Sequence, residues 1–276
     1  MLDAYSVWGG IPRYWELALE FSDTASAVRS LVLDPLGVLH HEPDRLLRDD
    51  MKDLTQAASI LAMIGRGCHR MTEIAGRLEM PATAMSRPLA KLLELGLIRR
   101  DIPFRAAMRD SKRSLYQIAG PFLRFWFRFV EPNRSRLEAR QLDAVAADMR
   151  RDWNAYLGEA WEELARISVP RLRIAGQSWR PAGRWWGPGT DRQPLELDVV
   201  ALAEDGEDLL IGEARLHTRG RSAARAAAEL AQKASRLPLA QSRRVTCCVW
   251  TVGPPEQPPE KTILVTGAEV FASLRG

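Results

Sequence analysis

Apolar positions recur along this chain with two different periods. Over residues 54–64 they fall at helical spacing up to Gly65-Arg66-Gly67. Residues 71–78 and 83–95 predict two further helices, the second closed by Gly96 as a C-terminal cap. Residues 97–100 and 114–118 read as two strands joined by a basic loop. An amphipathic helix is predicted at 155–167, then a short segment at 171–175 and an aromatic stretch from Trp179 to Trp185-Trp186-Gly187. Two apolar runs of strand type follow, 195–200 and 209–215, flanking Asp205-Gly206. An alanine-rich helix at 222–236, a near-continuous apolar strand at 244–252, a loop at 254–259, a short strand at 263–265 and a helix at 268–274 complete the order. Residues 1–50 predict short helices broken by Gly9-Gly10-Ile11-Pro12 and Pro35-Leu36-Gly37.

The pattern around Asp205-Gly206 carries the most chemistry. Asp-Gly suits a two-residue hairpin turn with positive φ, and a pairing centred there sets Asp198 directly opposite Glu213. Opposed side chains lie roughly 4.5–5.5 Å apart at Cβ, where like charges repel. Arg215 stands two residues beyond Glu213 and so shares its face. Two facing carboxylates beside a cation read either as a cradle for a metal ion or as a neutralised pair. The bland alternative is a solvated hairpin.

The helix–helix–helix–hairpin order over residues 51–142 is that of a winged helix-turn-helix, in which one helix enters the major groove and the wing meets phosphates. Residues 99–140 hold eleven basic residues against four acids (Asp101, Asp110, Glu131 and Glu138). Candidate nucleic-acid contacts are Ser86, Arg87 and Lys91 on the third helix with Arg99, Arg100, Lys112 and Arg113 on the wing. The same run also reads as an ordinary solvated surface. Phe122, Phe125, Trp126 and Phe129 share one helical face and predict core rather than base stacking. Pro88 is awkward inside a helix unless that helix begins late, near Met85-Ser86.

Composition narrows the classes. With 276 residues, 46% hydrophobic and 27% charged, the chain has room for two domains with sizeable cores. A net charge of +4 is too small to imply nucleic acid without a localised patch. Cys68, Cys247 and Cys248, with His40, His41, His69 and His217, offer neither a disulfide framework nor zinc spacing. With no apolar stretch of membrane-spanning length and no signal-peptide pattern, a cytoplasmic setting is expected and no membrane partner.

Glu-Leu-Asp198-Val-Val-Ala and Ile-Gly-Glu213-Ala-Arg215, in this order of elements, resemble the restriction-endonuclease-like PD-(D/E)xK nuclease superfamily. Further blocks extend the likeness: Trp8-Gly9-Gly10-Ile11-Pro12-Arg13-Tyr14, Ala119-Gly120-Pro121-Phe122-Leu123-Arg124-Phe125-Trp126, Gly158-Glu159-Ala160-Trp161-Glu162 and Trp185-Trp186-Gly187. Together they resemble the C-terminal part of archaeal-type ATPases of the AAA superclass, a part classed as a domain of unknown function. The resemblance implies an α/β, multi-domain α+β architecture. Its parts would be a helical lid-like segment (1–50), a winged helix-turn-helix with a C-terminal helix (51–142) and a nuclease-like α/β sandwich (143–276).

The resemblance implies a site of Asp198 and Glu213 as ligands for Mg²⁺ or Mn²⁺, with Glu162 as a supplementary acid or a plain helix-surface carboxylate. Arg215 stands where the superfamily pattern has lysine. Arginine keeps the charge but differs in reach and geometry. Lys233 on the following helix either projects back into lysine's place or faces solvent. His217 reads as a proton carrier or as surface. Seven acids and no base within 196–213, followed by seven bases and one acid within 219–244, fit a metal-binding edge beside a phosphate track. No G-x-x-x-x-G-K-[ST] loop is present, so no ATP hydrolysis is expected of this polypeptide alone, and the chain reads as the part following an ATPase core. Three functions follow: a Mg²⁺-dependent DNA-processing nuclease working with an ATPase partner; a non-catalytic DNA-binding adaptor on a degenerate nuclease fold; or a remnant that serves only as an interaction surface.

Overall fold

A computed structural model describes residues 1–50, 54–107, 113–216, 222–254 and 262–274. The chain divides into two compact units: Met1–Asp101 with Lys112–Trp153, and Ile102–Ser111 with Asn154–Gly276.

The first unit opens with helices α1 (Leu2–Trp8), α2 (Pro12–Ala18) and α3 (Thr24–Val28), the last running into a π-helical turn at Arg29–Leu33. Pro12 takes the first turn of α2, where its missing N–H costs nothing, and the Asp23 carboxylate caps α3 by accepting from Ser26 N–H at 2.8 Å. Then follow α4 (Glu42–Asp50), α5 (Leu54–Gly65), α6 (Met71–Arg77) and, after a 3₁₀ turn at Ala82–Met85, α7 (Ser86–Glu94). The late start of α7 brings Pro88 into its first turn, which removes the conflict seen in the sequence. Strands β1 (Ile98–Asp101) and β2 (Leu115–Ile118) pair antiparallel, with Ile98 opposite Ile118. Next come α8 (Pro121–Phe125), a π-helical turn at Trp126–Val130, a 3₁₀ turn at Glu131–Asn133 and α9 (Arg134–Glu138). Phe122, Phe125, Trp126 and Phe129 are all buried, as their spacing predicts. The π-helical turn buries Phe127 as well, and Arg124 is buried rather than solvated.

The helix read from residues 155–167 begins earlier, as α10 (Leu142–Ser168), and the division between units falls within it. In the second unit a 3₁₀ turn at Val169–Arg171 precedes a five-stranded sheet: β3 (Gly183–Pro188), β4 (Pro194–Leu202), β5 (Asp208–Arg215), β6 (Arg244–Thr251) and β7 (Ile263–Thr266). The strands lie in sequence order, with β3, β4 and β5 antiparallel and β5, β6 and β7 parallel. Helix α11 (Ser222–Arg236) supplies the crossover that parallel pairing requires, and α12 (Gly267–Ser273) follows β7. This is the mixed α/β, multi-domain class the pattern predicts.

The sheet is apolar on both faces. Trp185, Leu195, Leu197, Val200, Leu202, Leu209, Ile211 and Val249 form a core with Ala226, Leu230 and Leu237 from α11 and its C-terminal end. On the other face Trp161 of α10 donates its indole N–H to the Trp250 carbonyl at 3.3 Å, and Trp250 donates to Ser168 Oγ at 3.3 Å. Both tryptophans are fully buried.

The hairpin has the predicted register but not the predicted turn. Val199 pairs with Gly212, Val200 with Ile211, and Leu202 with Leu209. Ala203 N–H still bonds the Asp208 carbonyl at 3.0 Å, which leaves the four residues 204–207 as the loop. Asp205 accepts from Glu207 N–H through its side chain, and Gly206 supplies the left-handed position, φ +82°. The longer loop has the same centre, so the register is unaffected.

Candidate metal and phosphate site

One step past the last paired positions, Val199 and Gly212, stand Asp198 and Glu213. The pairing of β3 with β4 shifts here: Trp185 faces Leu197 but Gly183 faces Val200, so β4 carries one extra residue and both Asp198 and Val199 oppose Arg184. Such a bulge reverses the alternation of faces, which is why Leu195 and Leu197 before it, and Val200 and Leu202 after it, belong to one core. Asp198 sits at the switch. Its carboxylate accepts the Ala214 N–H at 3.0 Å and its carbonyl accepts from Arg166 Nη1 at 2.9 Å.

Glu213 is buried, 3% exposed along its side chain, and both its oxygens are held. Lys233 Nζ of α11 lies 2.5 Å from Oε1, and Arg215 Nη2 lies 3.0 Å from Oε2. Burial, then the neighbouring Asp198 charge, raises its pKa, against the pull of Lys233 and Arg215. Arg215 also reaches Glu229 at 3.6 Å, and Glu229 in turn accepts from Arg225 at 2.8 Å. On α10, Glu162 is pushed up to about 7, again by burial first and Asp198 second, with Arg184 and Arg166 opposing. Arg166 Nη1 stands 3.8 Å from Glu162 Oε2. The Asp198 charge therefore acts on two carboxylates, Glu162 on α10 and Glu213 on the neighbouring strand β5.

The sequence named Asp198, Glu213, Arg215 and Glu162; Asp198 acts on both Glu162 and Glu213, and Arg215 holds Glu213. Lys233, for which the sequence left both outcomes open, turns inward. Arg166 and Arg184 were missed. Arg166 had a local signal, lying four residues after Glu162, whereas Arg184 had none because only the bulge brings it near. The donor set is all oxygen, which suits Mg²⁺ or Mn²⁺, and Mg²⁺ needs only one or two carboxylates besides phosphate and water. Among the described residues, however, no group of three or more His, Cys, Asp or Glu converges to hold an ion.

The expected phosphate track is mostly neutralised. Arg236 binds Asp191 at 2.6 Å, Arg244 binds Asp208 at 2.7 Å, and Arg225 binds Glu229. His217, Arg219 and Arg221 lie outside the described residues. In the first unit, Ser86 and Arg87 are exposed at the start of α7, and Lys91 pairs with Glu94 at 3.2 Å. Arg99 pairs with Asp101 at 3.3 Å, Arg100 donates to Ser114 Oγ at 2.8 Å, and Arg113 is exposed. Lys112 lies outside the described residues. Farther along the same basic run, Arg134, Arg136 and Arg140 are tied to Asp44, Asp148 and Asp34. Among the described residues, several cations of the basic run are thus held in ion pairs.

Residues 126–227 match the family DUF234, described as archaea bacterial proteins of unknown function; the match spans Glu162, Asp198, Glu213 and Arg215 and stops short of Lys233. The chain is 28% identical over 219 residues to the uncharacterized protein MJECL04 of Methanocaldococcus jannaschii, covering 78% of this chain and 47% of that protein. Among solved structures, a mutant of Lactococcus lactis ZitR aligns over 41% of this chain and 84% of its own, with 17% identity and a TM-score of 0.23. Protein VC1899 of Vibrio cholerae aligns over 92% of this chain and 55% of its own, with 11% identity and a TM-score of 0.25. No helix among the described residues is long and apolar enough to cross a membrane.

Proposed function

We propose that the second unit is a divalent-cation-dependent phosphodiesterase acting on DNA, with the α5–α6–α7 and β1–β2 assembly serving as a winged-helix DNA contact. The observation that carries this reading is the bulge at Asp198, which exposes one carboxylate to both Glu162 and Glu213 while Lys233 arrives beside Glu213. Bulges next to a site commonly re-aim a side chain. A bound Mg²⁺ or Mn²⁺ would activate water and absorb charge on phosphate oxygens, held by Asp198 and Glu213 with Glu162 in support. Lys233 supplies the compact ammonium that Arg215 cannot, and Arg215 offers a planar fork to a phosphate. An ATPase acting in the cytoplasm is the partner that the family resemblance suggests; the chain spans 47% of the length of the curated relative it matches.

The test is cleavage of linear, nicked and branched DNA with Mg²⁺ and with Mn²⁺, wild type against Asp198→Ala. The expected result is cation-dependent cleavage lost in the variant, with a cation-induced rise in melting temperature in wild type only. Cleavage of none of these substrates, with no such rise, ends the catalytic reading. A non-catalytic DNA-binding adaptor is the second reading, favoured by the engagement of both Glu213 oxygens by cationic side chains.

A further inference from the structure

The catalytic reading leaves Trp185-Trp186-Gly187 unused. Trp185 turns into the core beneath α11, so Arg184 and Trp186, two residues apart on β3, share the opposite face. Each presents a donor without an acceptor. Arg184 Nε and Trp186 Nε1 are shielded from solvent and have no hydrogen-bond partner among the described residues. Native interiors retain few unpaired donors, and one that persists calls for an explanation. Neither an indole nor a guanidinium can accept, so what completes them must present acceptor atoms.

Their placement narrows the choice. Arg184 opposes the Asp198 bulge, lies 3.4 Å through Nη2 from exposed Glu196, and acts electrostatically on Glu162. The Arg184 side chain is 29% exposed and reachable through its terminal nitrogens, whereas Trp186 is 8% exposed, and its Nε1 meets a ligand only where one displaces the atoms that cover it. A charged fork beside a rigid neutral donor suits an oxyanion bearing several acceptor oxygens.

We propose that Arg184 and Trp186 form a phosphate-accepting edge of the site that takes a backbone phosphate of a nucleic-acid strand, beside the carboxylates rather than on them. The inference rests on the proposed action of this unit on nucleic acid and names the contact that seats the strand. The two residues have separable signatures: arginine contributes a charge, and tryptophan a neutral hydrogen bond.

Binding of labelled single-stranded and duplex 20-mers by the full chain, followed by anisotropy in Ca²⁺ from 50 to 200 mM salt, tests it. Arg184→Gln weakens binding about tenfold and lowers the slope of log K against log salt by about 0.7 for single strands or 0.9 for duplex, the value of one phosphate contact. Trp186→Phe weakens binding about threefold with the slope unchanged, because it removes a neutral donor and no charge. Wild-type affinity and slope in both variants, an effect confined to Arg184→Gln, or no binding by wild type overturns the proposal. Absence of cleavage by wild type in Mg²⁺ with both binding changes intact sinks the nuclease reading and leaves this edge standing. Cleavage by wild type with unaltered binding in both variants does the reverse.

Discussion

Lys233 reaches Glu213 from the helix after the hairpin, Nζ to Oε1 at 2.5 Å, while Arg215 holds the other oxygen at 3.0 Å. The buried carboxylate thus has one cation from its own strand and one from the packed helix. Glu162, faced by the Arg166 guanidinium at 3.8 Å, is pushed up to about 7 by burial first and the Asp198 charge second.

Removing one partner of a buried ion pair strands the other charge. Lys233→Ala is therefore expected to cost about 3 kcal/mol of stability, and Lys233→Arg less. Replacing both members, Lys233→Leu with Glu213→Leu, recovers most of the loss because no charge is left buried. Urea denaturation of the three variants measures the difference; a neutral Lys233→Ala contradicts the burial of this pair.

Glu162 makes stability depend on pH. An acid whose folded pKa lies above its ordinary value of 4.5 binds more protons when folded. Its contribution is greatest below pH 4.5, declines as pH rises to about 7, and is level beyond. Glu213 is raised too and acts with the same sign. Unfolding free energy is expected to fall by about 2–3 kcal/mol between pH 5 and 8. Glu162→Gln flattens most of that slope and exceeds wild type at pH 8; parallel profiles for the two proteins contradict the assignment.

Gly212 precedes Glu213 and has no room for a side chain. A Cβ there would lie 2.2 Å from Trp250 Cζ3 and 2.8 Å from the Cys248 carbonyl oxygen. Gly212→Ala is expected to cost about 3 kcal/mol. Because one of the colliding atoms is backbone, trimming Trp250 restores only part of it. Thermal unfolding of Gly212→Ala checks the size of the loss.

In the first unit, exposure and pairing separate two candidate DNA contacts. Arg87 is exposed on α7, whereas Arg99 is paired with Asp101. Arg87→Ala is expected to lower the salt dependence of duplex binding by about one phosphate contact, and Arg99→Ala to change it little. Equal effects in a salt titration refute the distinction.

Elements and register were legible because their signals are local. The apolar runs at 195–200 and 209–215 have strand length, and Asp205-Gly206 marks the centre of the reversal whichever loop length forms. Helix α7 was legible too, since Pro88 tolerates only a late start. The ion pairs of the basic run at 99–140 were not legible for the opposite reason: its charges meet acids far away in sequence, as Arg134 meets Asp44 ninety residues off.

From the residues alone came the α/β class, read from the order of helical and strand periods, and the opposition of Asp198 and Glu213 with Arg215 on the face of Glu213, read from strand alternation about a fixed centre. Only the folded chain decided that an extra residue in β4 swings Asp198 toward Glu162, that Lys233 rather than solvent meets Glu213, and that Arg184 stands opposite the bulge. The reason is physical. Alternation and turn chemistry act between neighbours in sequence, whereas the aim of a bulged residue or of a lysine on a helix is set by the surfaces that burial brings together.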